Sequence, residues 1–214
     1  MMRNRKIVII DYQMSNLFSV MRALERLGCS PILGFTEKDL KDADGVILPG
    51  VGAFSSAVSN LEKLKLKEPI LDYIESGKPF MGICLGLQLL FETSEEFGDH
   101  FGLGVINGDV KKFRNLTNNN DPIPQIGWNK LNFSKSILDA TPFNGINQDR
   151  WMYFIHSYYV LPEDDEIILS KTSYCGFEYC SSIKYNNVFA TQFHPEKSGE
   201  LGLKIYDNWL KEKI

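Results

Sequence analysis

The sequence lacks the features that mark membrane, nucleic-acid-binding and metal-binding proteins. It has no apolar run long enough to span a bilayer, and its net charge of −4 gives no basic footprint for nucleic acid. The basic start, residues 1–6, precedes only a strand-length apolar run, so we expect no secretory signal. Four cysteines without zinc-type spacing predict reduced thiols and no metal site: Cys29, Cys84, Cys175 and Cys180. These absences predict a cytoplasmic protein with neither a nucleic acid nor a membrane as partner.

The composition is that of an ordinary globular domain. With 214 residues, 43% of them hydrophobic and 23% charged, we expect a single domain over 1–214. Short apolar runs alternate with helical patterns in the first half, which predicts an α/β fold with an open, mostly parallel sheet and helices on both faces. The strands are expected at 6–11, 31–33, 45–49 and 79–83, and the helices at 17–27, 54–61, 69–76 and 85–92. From 104 to 192 strands dominate, which predicts an antiparallel extension of the same sheet before a last helix at 198–213.

One cysteine lies in a turn that exposes its side chain. The string Gly82-Ile83-Cys84-Leu85-Gly86-Leu87-Gln88 follows an apolar strand and leads into an apolar helix. Glycines on both sides allow the sharp turn of a nucleophile elbow. Free N–H groups and the dipole at the start of the new helix favour a thiolate at Cys84. By itself the pattern fits a structural cysteine equally well.

A cysteine nucleophile needs a base, and the chain has three histidines. His194 precedes Pro195, which favours an extended backbone, so Glu196 lies on the same side as His194 and can orient its ring. Cys84, His194 and Glu196 therefore form a candidate triad. His156 lies in a strand-like segment that favours packing or a substrate loop over catalysis.

Attack on a carbonyl also needs donors for the oxyanion. The N–H of Leu85 is one candidate. The loop 49–52 after the third strand is the other, since Val51 and Gly52 follow a strand end where a peptide can approach closely. An ordinary turn between a strand and a helix explains this loop equally well.

Six segments spread over nearly the whole chain carry a family resemblance. They are Asp11-Tyr12 with Asn16-Leu17, 48–54, 82–90, 127–129, 156–160 and 192–198. Together they resemble the class I glutamine amidotransferases, with Gly-x-Cys-x-Gly-x-Gln and a downstream His-Pro-Glu. The last two segments are typical of the glutaminase subunits of imidazole glycerol phosphate synthases.

The resemblance implies a glutaminase without a metal or organic cofactor. Cys84 would attack the side-chain amide of glutamine and form a γ-glutamyl thioester. His194 would move the protons, and Glu196 would orient His194. The residues implied to hold glutamine or frame the oxyanion hole are Gly50, Gly52, Gln88, Ser157 and Tyr158.

The resemblance also implies a partner. Ammonia would pass into the channel of a (β/α)₈-barrel cyclase in a heterodimer that serves histidine biosynthesis. Asn16 and Trp128 are the residues we expect at the interface. For Trp128 the reason is that aromatic side chains commonly anchor such contacts, although packing within its own subunit explains this residue equally well. Two glycines make a peptide flip in the loop 50–52 inexpensive, so we expect this loop to switch when the cyclase binds its substrate.

Two departures leave the acceptor of ammonia open. Gln13 stands where the family usually has glycine, and Gln125 replaces a frequent histidine. Paralogous glutaminases supply ammonia for acetamidino sugars of surface polysaccharides. A non-catalytic scaffold for the cyclase, or a cysteine hydrolase with an elbow on a similar sheet, are alternatives of other classes.

Overall fold

The structure is a computed structural model that describes residues 5–14, 16–113, 122–133, 142–146 and 150–212. Within these ranges the helices are α1 (Leu17–Arg26), α2 (Glu37–Lys41), α3 (Phe54–Lys63), α4 (Lys67–Glu75), α5 (Leu85–Gln88) and α6 (Gly199–Leu210). The strands are β1 (Ile7–Ile10), β2 (Ile32–Gly34), β3 (Gly45–Gly50), β4 (Phe80–Cys84), β5 (Phe91–Ser94), β6 (His100–Phe101), β7 (Ile106–Lys112), β8 (Gln125–Lys130), β9 (Trp151–His156), β10 (Tyr158–Pro162), β11 (Ile168–Tyr174), β12 (Phe177–Tyr185) and β13 (Val188–Thr191).

Eleven of these strands form one mixed sheet. Its order is β2-β1-β3-β4-β13-β12-β10-β7-β5-β6, with β11 paired to β12. The first five strands of this order are parallel, and antiparallel pairs continue the sheet from β13 to β7. The predicted α/β fold, a mostly parallel sheet with an antiparallel extension, is confirmed.

Helices cover both faces of the parallel half. The central strands β1 and β3 are buried along their whole length. Neighbouring residues on each strand point to opposite faces of the sheet, so they pack in different hydrophobic cores. Val8 packs with α3 and α4 on one face, whereas Ile9 packs with α1 and α6 on the other. The carboxyl ends of β3, β4 and β13 consequently meet at one edge, where the predicted functional loops begin.

Three features of the fold differ from the sequence prediction. Strands β8 and β9 pair only with each other among the described strands, so they form a separate two-stranded sheet instead of extending the large one. The predicted helix 85–92 is wrong in length: α5 ends at Gln88, and Phe91 starts a strand that pairs with Ile106. A continuous buried apolar run does not distinguish a helix from a strand, which explains this error. Helix α2, begun by a capping box between Thr36 and Asp39, was not predicted.

The first loop accounts for the departure at Gln13. This residue has φ of 67°, a left-handed conformation that glycine adopts without strain, and its N–H donates to Asp11 Oδ1 over 2.9 Å. Asn16 occupies the N-cap position of α1, but its side chain makes no capping hydrogen bond.

Candidate active site

The cysteine elbow is a strained turn between β4 and α5. Cys84 has φ of 55° and ψ of −107°, which is uncommon for a residue with a side chain. Position 86 requires glycine because the backbone of β3 passes close to it: a Cβ there would overlap the carbonyl oxygen of Leu48. At Gly82 a Cβ would lie 3.1 Å from that of Ala190 on β13. The neighbouring strands thus hold the turn in place.

Helix α5 is one turn long, so its dipole contributes less to the sulfur than an eight-residue helix would. The Leu85 N–H is in the first turn and has no acceptor within its own helix. It therefore lies where the sequence predicted an oxyanion donor.

The sequence-predicted base and its orienter are in direct contact. His194 Nδ1 lies 2.7 Å from Glu196 Oε1, and each of these side chains is only 2% exposed. The His194 N–H donates to the Tyr153 carbonyl over 2.9 Å, and the Ser198 hydroxyl donates to the His194 carbonyl over 2.6 Å. Both contacts fix the backbone from which the ring projects.

The charge of the His194 ring is stabilised. Burial lowers its pKa, but the Cys84 sulfur first and Glu196 second outweigh burial, so the pKa is raised to about 10. The interaction with Cys84 places the sulfur, the ring and the carboxylate in one electrostatic unit. Tyr206 of α6 also faces Glu196, and its pKa is raised well above the usual value by burial and then by this carboxylate.

Two polar groups contact the Cys84 sulfur. The Gln192 side chain donates through Nε2 over 3.6 Å, and the Ile155 carbonyl lies 3.8 Å away. Gln88 in turn donates to Gln192 Oε1 over 3.1 Å and to the Tyr158 carbonyl over 3.0 Å. The sequence analysis gave Gln192 no role; its position two residues before His194 was the only local signal.

A pocket lies near the sulfur: Ile155, whose carbonyl is 3.8 Å from Cys84 Sγ, lines it, whereas Cys84 and His194 do not. Its lining includes the predicted residues Gly52, Gln88, Ser157 and Tyr158, together with Glu96, which the sequence analysis missed. The Glu96 carboxylate accepts from the Phe54 N–H over 2.6 Å, and burial raises its pKa in spite of this bond. No sequence motif surrounds Glu96, since its place in the pocket results from the pairing of β5 with β7.

His156 forms part of the pocket wall. Nδ1 lies 2.7 Å from the Tyr158 carbonyl, and Nε2 lies 3.2 Å from the Tyr179 hydroxyl. Burial is the main cause that lowers the His156 pKa to about 3, so the ring is neutral at physiological pH. The ring packs against Phe113 and Phe154, consistent with the packing role that the sequence favoured.

The loop 50–52 does not present both of its predicted oxyanion-hole residues, Val51 and Gly52, to the sulfur. The Val51 N–H donates to the Met14 carbonyl over 2.8 Å and is therefore unavailable to an oxyanion in this conformation. Gly50 lacks room for a side chain, because a Cβ would overlap the Tyr12 hydroxyl and lie 2.9 Å from Leu85 Cβ. Gly52 has φ of 110°, a conformation that other residues rarely adopt.

The β8–β9 sheet exposes an apolar face next to this site. Trp128 is 50% exposed and lies opposite Tyr153, while Ile126 lies opposite Ile155. Asn16 is half-buried at the start of α1. Neither Trp128 nor Asn16 belongs to the pocket lining.

Within the described ranges, no group of three or more His, Cys, Asp or Glu side chains is arranged to hold a metal ion. In the same ranges, no helix has the length and apolar character needed to cross a membrane.

Comparison with known proteins relates this site to a family. The family model "Glutamine amidotransferase class-I" matches residues 8–212. The "Imidazole glycerol phosphate synthase subunit HisH" of Aquifex aeolicus is 47% identical over 206 residues, covering 96% of each chain. The protein of the same name from Geobacillus thermodenitrificans is 42% identical over 206 residues, covering 94% of this chain and 93% of that one.

Solved structures show the same fold at low sequence identity. "Structure of PurLQS from Thermotoga maritima" aligns with a TM-score of 0.71 at 22% identity, covering 96% of this chain and 97% of that one. A chain titled "Crystal structure of glutamine amidotransferase" gives a TM-score of 0.70 at 15% identity, covering 95% and 97%. The matched residues include the elbow, the pocket and the His194–Glu196 pair, and the chain belongs to the class I glutamine amidotransferase family.

Proposed function

We propose that this chain is the glutaminase subunit of an imidazole glycerol phosphate synthase. It hydrolyses glutamine and delivers ammonia to a (β/α)₈-barrel cyclase subunit in a heterodimer that serves histidine biosynthesis. The observation that carries the proposal is the buried His194–Glu196 pair, which interacts electrostatically with Cys84 near a pocket that the Glu96 carboxylate lines. Relatives named as subunits of this synthase at 42–47% identity support the histidine pathway over the polysaccharide pathway.

The pocket suits the amino-acid end of glutamine. Both N–H groups of the Gln88 amide are committed to Tyr158 and Gln192, so only its Oε1 remains to accept a hydrogen bond from substrate. The Glu96 carboxylate lines the same pocket, and the two oxygens together bind the α-ammonium group. Ser157 and Tyr158 line the same pocket and hold the α-carboxylate end.

The chemistry proceeds through a thioester. The Cys84 thiolate attacks the side-chain amide carbon of glutamine, and the carbonyl electrons move onto oxygen. As the carbon–nitrogen bond breaks, the protonated His194 gives its proton to the nitrogen, and ammonia leaves. His194 then removes a proton from water, the water attacks the thioester, and glutamate departs while Cys84 regains its thiolate. Glu196 holds His194 in the required orientation throughout.

The oxyanion of each step needs two donors, of which one is ready. Leu85 offers its N–H, whereas the Val51 N–H is bonded to Met14. Turning the Gly50–Val51 peptide exchanges its N–H and carbonyl and provides the second donor. One such donor changes the rate by about 10²–10³. The chain alone is therefore a slow glutaminase, and the cyclase with bound substrate triggers the turn.

The apolar face of β8–β9 is the docking surface for the cyclase. Ile126, Trp128, Trp151 and Ile155 are exposed large hydrophobic residues on this small sheet. The face carries Ile155, whose carbonyl faces the sulfur, so a partner on it closes the site from water. Val51 is also 40% exposed, which lets the same partner contact the switching loop.

A reducing compartment fits the described cysteines. Cys29, Cys84, Cys175 and Cys180 are all free, and the mechanism requires the thiol of Cys84 to stay reduced. We place the protein in the cytoplasm on this ground.

The test is a mixing assay of ammonia and glutamate release from glutamine. The chain is assayed alone, with a histidine-pathway cyclase and its phosphoribulosyl substrate, and with a cyclase of the polysaccharide pathway. We expect strong stimulation only by the histidine-pathway cyclase, and complete loss in Cys84→Ala, which should still support synthesis from added ammonium. Stimulation only by the polysaccharide-pathway cyclase would assign the ammonia to that pathway and refute the histidine pathway. Hydrolysis that persists in Cys84→Ala would refute the mechanism.

A further inference from the structure

We infer that Gln192 is a catalytic residue whose side-chain amide donates to the Cys84 sulfur and stabilises the attacking thiolate. This role deepens the proposed function and rests on it. It follows from a chain of hydrogen bonds from Tyr158 through Gln88 and Gln192 to Cys84, in which each bond fixes the orientation of the next side-chain amide.

The orientation of both amides follows from one backbone carbonyl. The Tyr158 carbonyl can only accept, so Gln88 must turn its NH₂ group toward it, over 3.0 Å. The second hydrogen of that NH₂ group reaches Gln192 Oε1 over 3.1 Å. With its oxygen engaged by Gln88, Gln192 presents its own NH₂ group to the sulfur, 3.6 Å away. The amide therefore meets the sulfur as a donor.

The Gln192 side chain is held in this position. It is fully buried, and its backbone N–H donates to the Ser181 carbonyl over 2.9 Å. A buried amide that left the sulfur would lose a hydrogen bond without gaining water in exchange, which is unfavourable. The donor is thus in place before the substrate arrives.

A donor at this point selects the charged form of the sulfur. The Ile155 carbonyl, 3.8 Å from the sulfur, is an acceptor and so favours the neutral thiol. The Gln192 N–H has the opposite effect, since hydrogen bonds to charged groups are about twice as strong as those between neutral groups. Together with the protonated His194, it keeps the nucleophile in the form that attacks.

The experiment measures how the alkylation rate of Cys84 depends on pH, in the full chain without partner or glutamine. Iodoacetamide is the probe, and mass spectrometry of the peptide that contains Cys84 separates it from the other thiols. Gln192→Met keeps the length of the side chain but removes the donor. Gln192→Glu keeps an acceptor for Gln88, removes the donor and adds negative charge. Gln125→Met is the matched control, because Gln125 is equally buried but bonds to Asn129 and Tyr179.

The pH midpoint of alkylation should rise by about one unit in Gln192→Met and further in Gln192→Glu, as the loss of one hydrogen bond to a charged group predicts. His194, Tyr12 and Tyr179 are the titratable groups that interact with the sulfur, and all three remain in the variants. In the complex with the cyclase, kcat for glutamine should fall about tenfold in Gln192→Met, with KM within about twofold of the wild type.

A wild-type midpoint in both Gln192 variants would overturn the inference, as would an equal shift in the Gln125→Met control. If the wild-type chain releases no ammonia with any cyclase, the proposed function fails instead. The alkylation result distinguishes the two, because it requires neither glutamine nor the partner.

Discussion

Replacing Glu196 by glutamine tests the arrangement on which the mechanism depends. The variant keeps the size of the side chain and removes its charge, 2.7 Å from His194 Nδ1 in a site where both groups are 2% exposed. Removing one partner of a buried ion pair costs about 3–5 kcal/mol, because the remaining charge stays buried without compensation. If the imidazolium loses this stabilisation when it holds the proton, kcat falls by about 10²–10⁴-fold.

The assay is glutamine hydrolysis by the complex with saturating cyclase and cyclase substrate. Glu200→Gln is the matched control, since its carboxylate is exposed and pairs with Arg26 at the surface. That variant should retain wild-type kcat. A kcat for Glu196→Gln within about threefold of the wild type would refute the orienting role of the carboxylate.

The same variant has a signature in stability. A raised His194 pKa contributes stability that is complete below the unfolded value of 6.5 and disappears as pH rises through about 10. Glu196→Gln removes part of that contribution. Its loss of stability relative to the wild type should therefore be largest below pH 6.5 and shrink toward pH 10, as measured by chemical denaturation at each pH.

Four further predictions follow from the same contacts. Gly50→Val should abolish stimulation by the cyclase, because its side chain overlaps Tyr12 and blocks the peptide turn; full stimulation in an ammonia-release assay would contradict the switch. Trp128→Ala should weaken binding to the cyclase by about 30-fold in calorimetry, the effect of an interface anchor, whereas Phe101→Ala on the edge strand β6 should not. His156 has a pKa lowered to about 3, so the unfolded chain binds the extra proton below pH 6.5 and stability falls with acidity, by about 3 kcal/mol at pH 4; His156→Gln should remove this slope from denaturation curves. Tyr12→Phe should leave the melting temperature unchanged or raise it, because the Tyr12 hydroxyl is buried without a partner among the described residues.

The sequence predicted those parts of the site that depend on local geometry. The extended backbone of His194 follows from the proline after it. Glu196 then reaches the ring from a 3₁₀ turn, Pro195–Lys197, and not from the extended chain that the sequence argument assumed. The elbow likewise follows from the glycines around Cys84. Of these, Gly86 is required because a Cβ there would overlap the Leu48 carbonyl oxygen. The α/β fold follows from alternation of elements over the first half of the chain.

Other parts depend on pairings that no local pattern encodes. Glu96 enters the pocket because β5 pairs with β7, and Gln192 faces the sulfur because Gln88 orients its amide. The end of α5 is also not encoded locally, because the apolar run that follows it is buried equally well as a helix or as a strand. Gln13 stands where the family usually has glycine. Its positive φ, which strains a residue with a side chain, is visible only in the structure.

The resting conformation of the loop 50–52 determines how much free energy a partner must supply to activate this enzyme. Holding the Val51 N–H on the Met14 carbonyl is one neutral hydrogen bond, with a net value of about 0.5–1.5 kcal/mol. Releasing that N–H to the oxyanion supplies about 2.7–4 kcal/mol in the transition state. If that bond were the whole cost of turning the loop, a partner could raise the rate by only about 2–13-fold. Activation by about 10²–10³ requires the resting loop to be favoured by about 2.7–4 kcal/mol in total, which the cyclase must offset. The His194–Glu196 pair needs no rearrangement for this, because its two side chains already lie 2.7 Å apart in the resting chain.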